Sequence, residues 1–471
     1  MEVIVQSVSD FLYGRILIAL LLGAGLYFTL RLRFLQVLHF GYMFRVLAGS
    51  RRAGVEHISS FQALSTSLAA RVGTGNLAGV ALAITMGGPG AVFWMWMAAF
   101  LGMATTFIES TLAQVFKVRG PDGGFRGGPA YYMRHGLSRP GMGVAFAVSL
   151  LLAFGLFFNS VQANTIAAAF QEAFPVDPRI TAALLAGLTA AVIFRGIRAV
   201  ARFAEVVVPV MAAGYLLLAL VVVIMNLERV PGVFRLILES AFGMEPLAGG
   251  GAGYALRQAM MNGVRRGLFS NEAGMGSAPN AAATADPQPP HPASQGYVQM
   301  LGVFIDTIVI CSCTAAIILV SGAWDPASEV TGIQLAQRAL SSQVGEWGGL
   351  FIAAAVFLFA FTSIVANYTY AETNLLFLTR RRGAVRSLRL AVVLLVVFGS
   401  LARLPLVWAA ADVAMGLMAL LNIAAILLLR QPAVRIAEDF GRELRAGRRP
   451  EFAPSRIAGL PDRLAPGIWE G

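Results

Sequence analysis

Two short stretches put glycine and polar residues where an uninterrupted apolar chain would be expected. "RVGTGN" covers residues 71–76 and "SNEAGMGS" covers residues 270–277. Glycine inside a helix costs about 1 kcal/mol relative to alanine. A charge near a bilayer centre costs roughly 2.5–3.5 kcal/mol on insertion scales. Gly73, Gly75, Gly274 and Gly276 allow close backbone approach, and Thr74, Asn76, Asn271 and Ser277 add neutral oxygens and donors. An interrupted helix frees backbone N–H and C=O groups, each costing several kcal/mol in a membrane if left unpaired. Half-helix N-termini favour a carboxylate, and freed carbonyls favour an ammonium or a sodium ion. The pair of breaks therefore reads as a place for a small zwitterion and a metal cation. Glycines serving only to pack helices are the plainer reading. Two polar-flanked breaks at matched positions weigh against it.

The elements that must hold these residues are membrane spans. Of 471 residues, 57% are hydrophobic and 13% charged, against about a quarter charged in soluble domains. A span needs about 20 mostly apolar residues. Eleven candidates fall at 11–30, 61–86, 91–116, 143–170, 181–195, 203–226, 252–285, 297–322, 347–377, 387–402 and 405–429. The expected class is an all-α polytopic membrane protein with about 11 transmembrane helices.

The formal charge of +11 is not one patch, which argues against nucleic acid as a partner and for membrane topology. Arginines follow the first span (Arg31, Arg33, Arg45, Arg51, Arg52), the fifth (Arg195, Arg198, Arg202) and the ninth (Arg380, Arg381, Arg382, Arg386, Arg389). Lys117, Arg119, Arg126, Arg134 and Arg139 follow the third. Alternate loops carry Glu172 and Asp177, then Glu228, Glu239 and Glu245, then Asp325 and Glu329. By the positive-inside rule the N-terminus lies outside and the C-terminus in the cytoplasm, across an inner (plasma) membrane. The loop 286–296 should be cytoplasmic but is not basic.

The broken second and seventh spans are five apart, an odd number, so they enter the membrane from opposite sides. That is the mark of an inverted repeat. The halves run roughly 58–226 and 250–430, with the first span outside the repeat. Residues 1–430 form the transmembrane domain and 431–471 a basic cytoplasmic tail, expected to be partly disordered or to lie on anionic lipid. Residues 231–243 are expected to form an amphipathic helix on the outer surface.

Several function classes find no support. Cys311 and Cys313 read as small packing residues inside an apolar run, and His39, His57, His135 and His291 are scattered. There is no P-loop motif for ATP, no nucleophile–base set for an enzyme, and no cofactor is expected. A channel would need a continuous polar lining, whereas the polar groups here gather at two breaks.

The stretch "RVGTGNLAGVALAITMGGPGAVFWMWMAAFLGMATTFIES" and the stretch "GLFSNEAGMGSAPNAAA" resemble the signature blocks of the alanine or glycine:cation symporter family. "FRGGPAYYM", "VQAN", "FIDTIVICS" and "FAFTSIVANYTYAE" add to the likeness, which runs from about residue 10 to 430. It implies the LeuT-like five-plus-five inverted repeat of the amino acid–polyamine–cation superfamily. It also implies sodium-coupled uptake of alanine, glycine or a similar small neutral amino acid, with a proton as the alternative coupling ion. The resemblance places Gln162 at the substrate, and hydroxyls of Thr362 or Ser363 on a sodium ion against the first broken helix. Asn76 is the side chain best suited to the ion or its surroundings. Many members carry an aromatic residue, usually tryptophan, where this chain has Asn367, which marks that position for substrate choice. Arg71, Arg265, Arg266 and Glu272 are expected in structural ion pairs or a gate, and Glu109 and Asp306 are further ionisable residues at membrane depth.

Overall fold

A computed structural model describes residues 2–50, 58–120, 123–174, 176–195, 197–243, 251–328, 330–379 and 381–469. Arg51, Arg52, His57, Glu245, Glu329 and Arg380 lie outside the described residues, as do the side chains of Arg198, Arg202 and Arg382. The described chain is helical apart from four two-residue strands.

The helices that matter here are α1 (Ile4–Arg31), α2 (Ser60–Arg71), α3 (Gly75–Gly87), α4 (Gly90–Val115), α5 (Pro140–Ala173), α6 (Pro178–Ile193) and α7 (Ala204–Met225). They are followed by α8 (Val230–Ala241), α9 (Gly251–Asn271), α10 (Pro279–Thr284), α11 (Pro292–Ser321), α12 (Trp347–Leu378), α13 (Gly383–Leu401), α14 (Leu404–Leu428) and α15 (Arg430–Arg445). Eight are long and apolar enough to cross a membrane, and the pair α2–α3, bent by 52°, makes a ninth. The fifth and seventh expected spans correspond to α6, only 16 residues long, and to α9 with α10, where "RQAMMNGVRRGLFSN" dilutes the apolar character.

Local sequence explains the first broken span. Ser59 and Gln62 form a reciprocal capping box that starts α2, satisfying two backbone donors at the helix entry. Gly73 and Gly75 then stop it, and the chain restarts through a π-helical turn at Gly75–Gly79. From Ala63 to Ile84 every residue is buried, so this segment sits in the middle of the bundle. Ile58–Ser59 pairs in parallel with Ala285–Asp286. The first broken span thus begins at the membrane face where the second one ends, and the two cross in opposite directions as the inverted repeat requires.

Residues 430–469 depart from the expectation of a partly disordered tail: they are ordered and packed on the body. The apolar face of α15 is buried through Ala433, Ile436, Ala437 and Phe440. The segment after it returns across the body. Phe452 N–H bonds Pro290 O at 3.1 Å, and Trp469 Nε1 bonds Gln114 O at 3.2 Å. The expected surface helix is present as α8, from Val230 to Ala241.

Candidate functional site

In a continuous helix Ala69 O would accept from Gly73 N–H, and Val72 O from Asn76 N–H. The break redirects both donors. Gly73 N–H bonds Asn76 Oδ1 at 2.9 Å, and Asn76 N–H bonds Gly73 O at 3.3 Å. Thr74 N–H donates to Gln162 Oε1 of α5 at 2.9 Å. The carbonyls of Ala69 and Val72 are released from the ladder and face α12.

Ser363 meets them there. Its Oγ lies 2.8 Å from Ala69 O, 3.5 Å from Val72 O and 3.0 Å from Phe359 O. Thr362 Oγ1 lies 2.9 Å from Phe359 O. Each hydroxyl has one proton and further lone pairs, so acceptors outnumber donors around this point. Such a cluster of freed carbonyls and hydroxyls is the arrangement that coordinates a hard monovalent cation. A Cβ on Gly73 would run into Ser363 Oγ and come within 2.9 Å of Gln162 Oε1. Gly73, Thr74, Gln162, Ser363 and the neighbouring Thr362 are therefore brought together.

Asn76 sits one step away. Its Oδ1 is taken by Gly73, while Nδ2 donates to Asp306 Oδ1 at 2.7 Å and Asp306 O at 3.1 Å, with Cys311 Sγ at 3.3 Å. Asp306 lies in a π-helical stretch of α11, Phe304–Cys311. Its Oδ2 accepts from Ser270 Oγ at 2.8 Å and Thr307 Oγ1 at 2.7 Å. Asp306 thus holds a residue from each break. Cys311 belongs to the same junction, with Ser270 Oγ 3.1 Å from its sulfur.

The breaks touch where a Cβ on Gly75 would lie 3.0 Å from Ser270 Cα and 3.1 Å from Phe269 Cδ1. Phe269 stacks on Phe158 with centroids 4.5 Å apart and tilts against Trp408 at 4.6 Å. Beside the polar backbone of Gly73–Gly75 these rings form an apolar wall. Thr74 Oγ1 is buried there without a hydrogen-bond partner.

The rest of the second break forms its own cluster. Glu272, Gly274 and Gly276 have φ of 58°, 80° and 85°, the left-handed region in which glycine carries no steric penalty. Ser277 Oγ donates to Glu272 Oε2 at 2.5 Å, and Asn271 Oδ1 accepts from Ala273 N–H at 3.0 Å. Gly274 N–H donates to Glu109 Oε1 at 3.3 Å. Asn422 Nδ2 donates to Glu109 Oε2 at 2.6 Å and Gly274 O at 2.9 Å, and Tyr132 OH bonds Asn422 Oδ1. Gly274 is thus met by α4 and α14, while Asn271, Gly276 and Ser277 bond to Ala273, Asn280 and Glu272 within or beside the break, and among the described residues none of the four bonds Ser363.

Asn159 and Gln162 are one turn apart on α5, as are Ser363 and Asn367 on α12. Asn367 Nδ2 donates to Asn159 Oδ1 at 3.1 Å, while its Oδ1 is buried without a partner. Asn164 faces elsewhere, bonding Gly399 O at 2.9 Å and Ala402 O at 2.7 Å. Arg265 pairs with Asp10 at 2.8 Å; Arg266 pairs with Asp412 and lies over Trp408 at 4.5 Å. Arg71 instead donates to Gln299 O at 3.2 Å, with no ion pair among the described residues. A cavity of about 450 Å³ reaches Ala78 beside the first break, lined also by Asn164, Thr165, Thr331, Ile333 and Leu404.

Sequence reasoning did not single out Ser270, Phe269, Asn159, Asn422 or the carbonyls of Ala69, Val72 and Phe359. Ser270 lies in the quoted second break and could have been found there. The carbonyls carry no residue-type signal.

A family model described as the sodium:alanine symporter family matches residues 1–454. The chain is 47% identical over 453 residues to a probable sodium/glutamine symporter, GlnT, of Bacillus subtilis, covering 96% of this chain and 93% of that one. It is 40% identical over 446 residues to the sodium/alanine symporter AgcS of Methanococcus maripaludis, covering 93% and 96%. The crystal structure of MhsT in complex with L-phenylalanine matches the fold with a TM-score of 0.56 at 14% identity, over 81% of this chain and 98% of that one.

Proposed function

The chain belongs to the sodium:alanine symporter family, and from that premise we propose that it imports alanine, glycine or serine together with sodium by alternating access. It is a multi-pass transporter with a LeuT-like fold, not an enzyme. The observation that carries the sodium reading is the oxygen cluster around Ser363, where the released carbonyls of Ala69 and Val72 meet Phe359 O and two hydroxyls. The amino acid belongs beside it, on Gly73, Thr74, Gly75 and Gln162, against Phe269. Asn76 supports both by fixing the turn. Asn271, Gly274, Gly276 and Ser277 hold the second break in shape next to that site. The Arg-rich alternate loops support an N-terminus outside and a C-terminus in the cytoplasm.

A second reading, glutamine as the substrate, is favoured by Asn367. Its unpaired buried Oδ1 lies one helical turn from Ser363 and could accept from a substrate carboxamide. One sodium ion entering across 100 mV releases about 2.3 kcal/mol. At about 1.4 kcal/mol per decade that supports roughly fortyfold accumulation of a neutral solute. Uptake of radiolabelled alanine into proteoliposomes under sodium, lithium or proton gradients tests the coupling. Unlabelled glycine, serine and glutamine test the substrate by competition. Accumulation under a proton gradient alone, or competition by leucine as strong as by alanine, would overturn the proposal.

A further inference from the structure

Where α1 ends and α15 begins, six arginines face two cavities with almost no opposing charge. Arg31, Arg33, Arg442 and Arg445 line one cavity of about 480 Å³. Arg31, Arg430 and Arg435 line a second of the same size. Glu438 is the one carboxylate, shared by both. None of the six arginines forms an ion pair among the described residues, although Arg430 caps Leu427 O at 3.0 Å. The excess charge is felt nearby: His39, in the first cavity, has its imidazole held below the usual range by burial and then by Arg445.

The same cavities hold exposed apolar groups. Leu38 lines the first and is 71% exposed; Tyr27 lines the second and is 38% exposed. Leu30 and Phe34 are exposed beside them, at the end of the first span. Tyr27 and Leu30 belong to the last turns of the first span, so a soluble anion would use the arginines alone and make nothing of the apolar groups beside them. An amphiphile would use both. The position is also right, since α1 and α14 end at this membrane face and α15 runs on directly from α14.

We propose that this is a binding site for an anionic phospholipid, with the phosphodiester among Arg31, Arg435 and Arg442 and the acyl chains along Tyr27, Leu30 and Leu38. Guanidinium groups suit the site because they present fork-shaped donors to phosphate oxygens. Bound lipid would tie α15 to the end of α1.

The test is native mass spectrometry of the detergent-purified full chain, titrated with phosphatidylglycerol or phosphatidylcholine of the same acyl chains. The wild type should retain phosphatidylglycerol preferentially, and the Arg31→Gln/Arg435→Gln/Arg442→Gln variant should bind it on the order of a hundredfold more weakly. Arg235→Gln serves as a control, because Arg235 pairs with Glu239 on α8 at the opposite face. It should bind lipid as the wild type does. Equal retention of the two lipids by the wild type, or unchanged binding by the triple variant, would overturn the proposal. So would displacement of the lipid by inorganic phosphate at equal concentration, which would mark a free-anion site. The wild-type comparison stands even if the triple variant fails to fold.

Discussion

Ser363→Ala tests the cation site most directly. The substitution removes an oxygen lying 2.8 Å from Ala69 O and 3.0 Å from Phe359 O, and little else. Two effects follow. The cation loses one ligand, and the freed carbonyl of Ala69 loses its hydroxyl donor in the ion-free state. A net hydrogen bond is worth about 0.5–1.5 kcal/mol, and one to a charged group about 1.5–3. The loss of carbonyl satisfaction raises the energy of the ion-free state and so offsets part of the loss in binding. The remainder is about 1–2 kcal/mol, which raises the sodium concentration for half-maximal alanine uptake by about five- to thirtyfold. Maximal uptake at saturating sodium should change little. Thr362→Val should act in the same direction but more weakly, because Thr362 Oγ1 reaches only Phe359 O, three residues back on its own helix. The assay is uptake into proteoliposomes against a sodium titration, with protein level and orientation controlled. If both variants keep the wild-type sodium dependence, the hydroxyls only tie α12 to the broken helix and the cation site is elsewhere.

Gly73→Ala should reduce uptake about five- to a hundredfold, because its Cβ would occupy the space of Ser363 Oγ; crowding of this kind costs about 1–3 kcal/mol. Gln162→Ala should weaken apparent amino acid affinity at saturating sodium while leaving sodium dependence close to wild type, measured by uptake against alanine concentration. Asn76→Ala should cost about 1–3 kcal/mol of stability and lower both affinities, since it removes the acceptor for Gly73 N–H and the donor to Asp306; a thermal shift alongside uptake checks this. The docking of the C-terminal segment should loosen in acid. His291, packed on Phe440 and Phe452, accepts Ala293 N–H at Nδ1, and burial holds its pKa below 6.5. A depressed histidine favours the neutral ring in the folded state, so its contribution is complete above pH 6.5 and is lost as the pH falls below that. Asp439, held low by the facing His291 ring, loses its contribution at lower pH still. A spin label at Ser455 should gain mobility between pH 7.5 and 5.5, and unchanged mobility would count against this coupling.

The two breaks were legible because they violate a strong rule. Gly73, Gly75, Gly274 and Gly276 carry a cost that an apolar span would not accept without a compensating partner. Their odd spacing in the span order gave the inverted arrangement, and the pairing of Ile58 with Ala285 is its physical expression. What the sequence hid was which partners each break meets. The residue types at 71–76 and 270–277 look equivalent, both being glycines flanked by small polar residues. The structure distinguishes them by what lies opposite. Ser363 leaves the released carbonyls of the first break rich in acceptors. Glu109 and Asn422 meet the second break with a carboxylate and an amide that occupy Gly274 on both its N–H and its carbonyl. Those partners lie 165 and 148 residues away in sequence, so no local pattern announces them. The tail illustrates the same limit. Its arginines and prolines read as a solvated segment, yet Phe440, Phe452 and Trp469 are spaced to reach a surface made by residues 114–117 and 290–291. The first break turns its released carbonyls toward Ser363, whereas Gly274 of the second is met by Glu109 and Asn422. Asp306 holds Asn76 and Ser270 at the point where the two breaks meet.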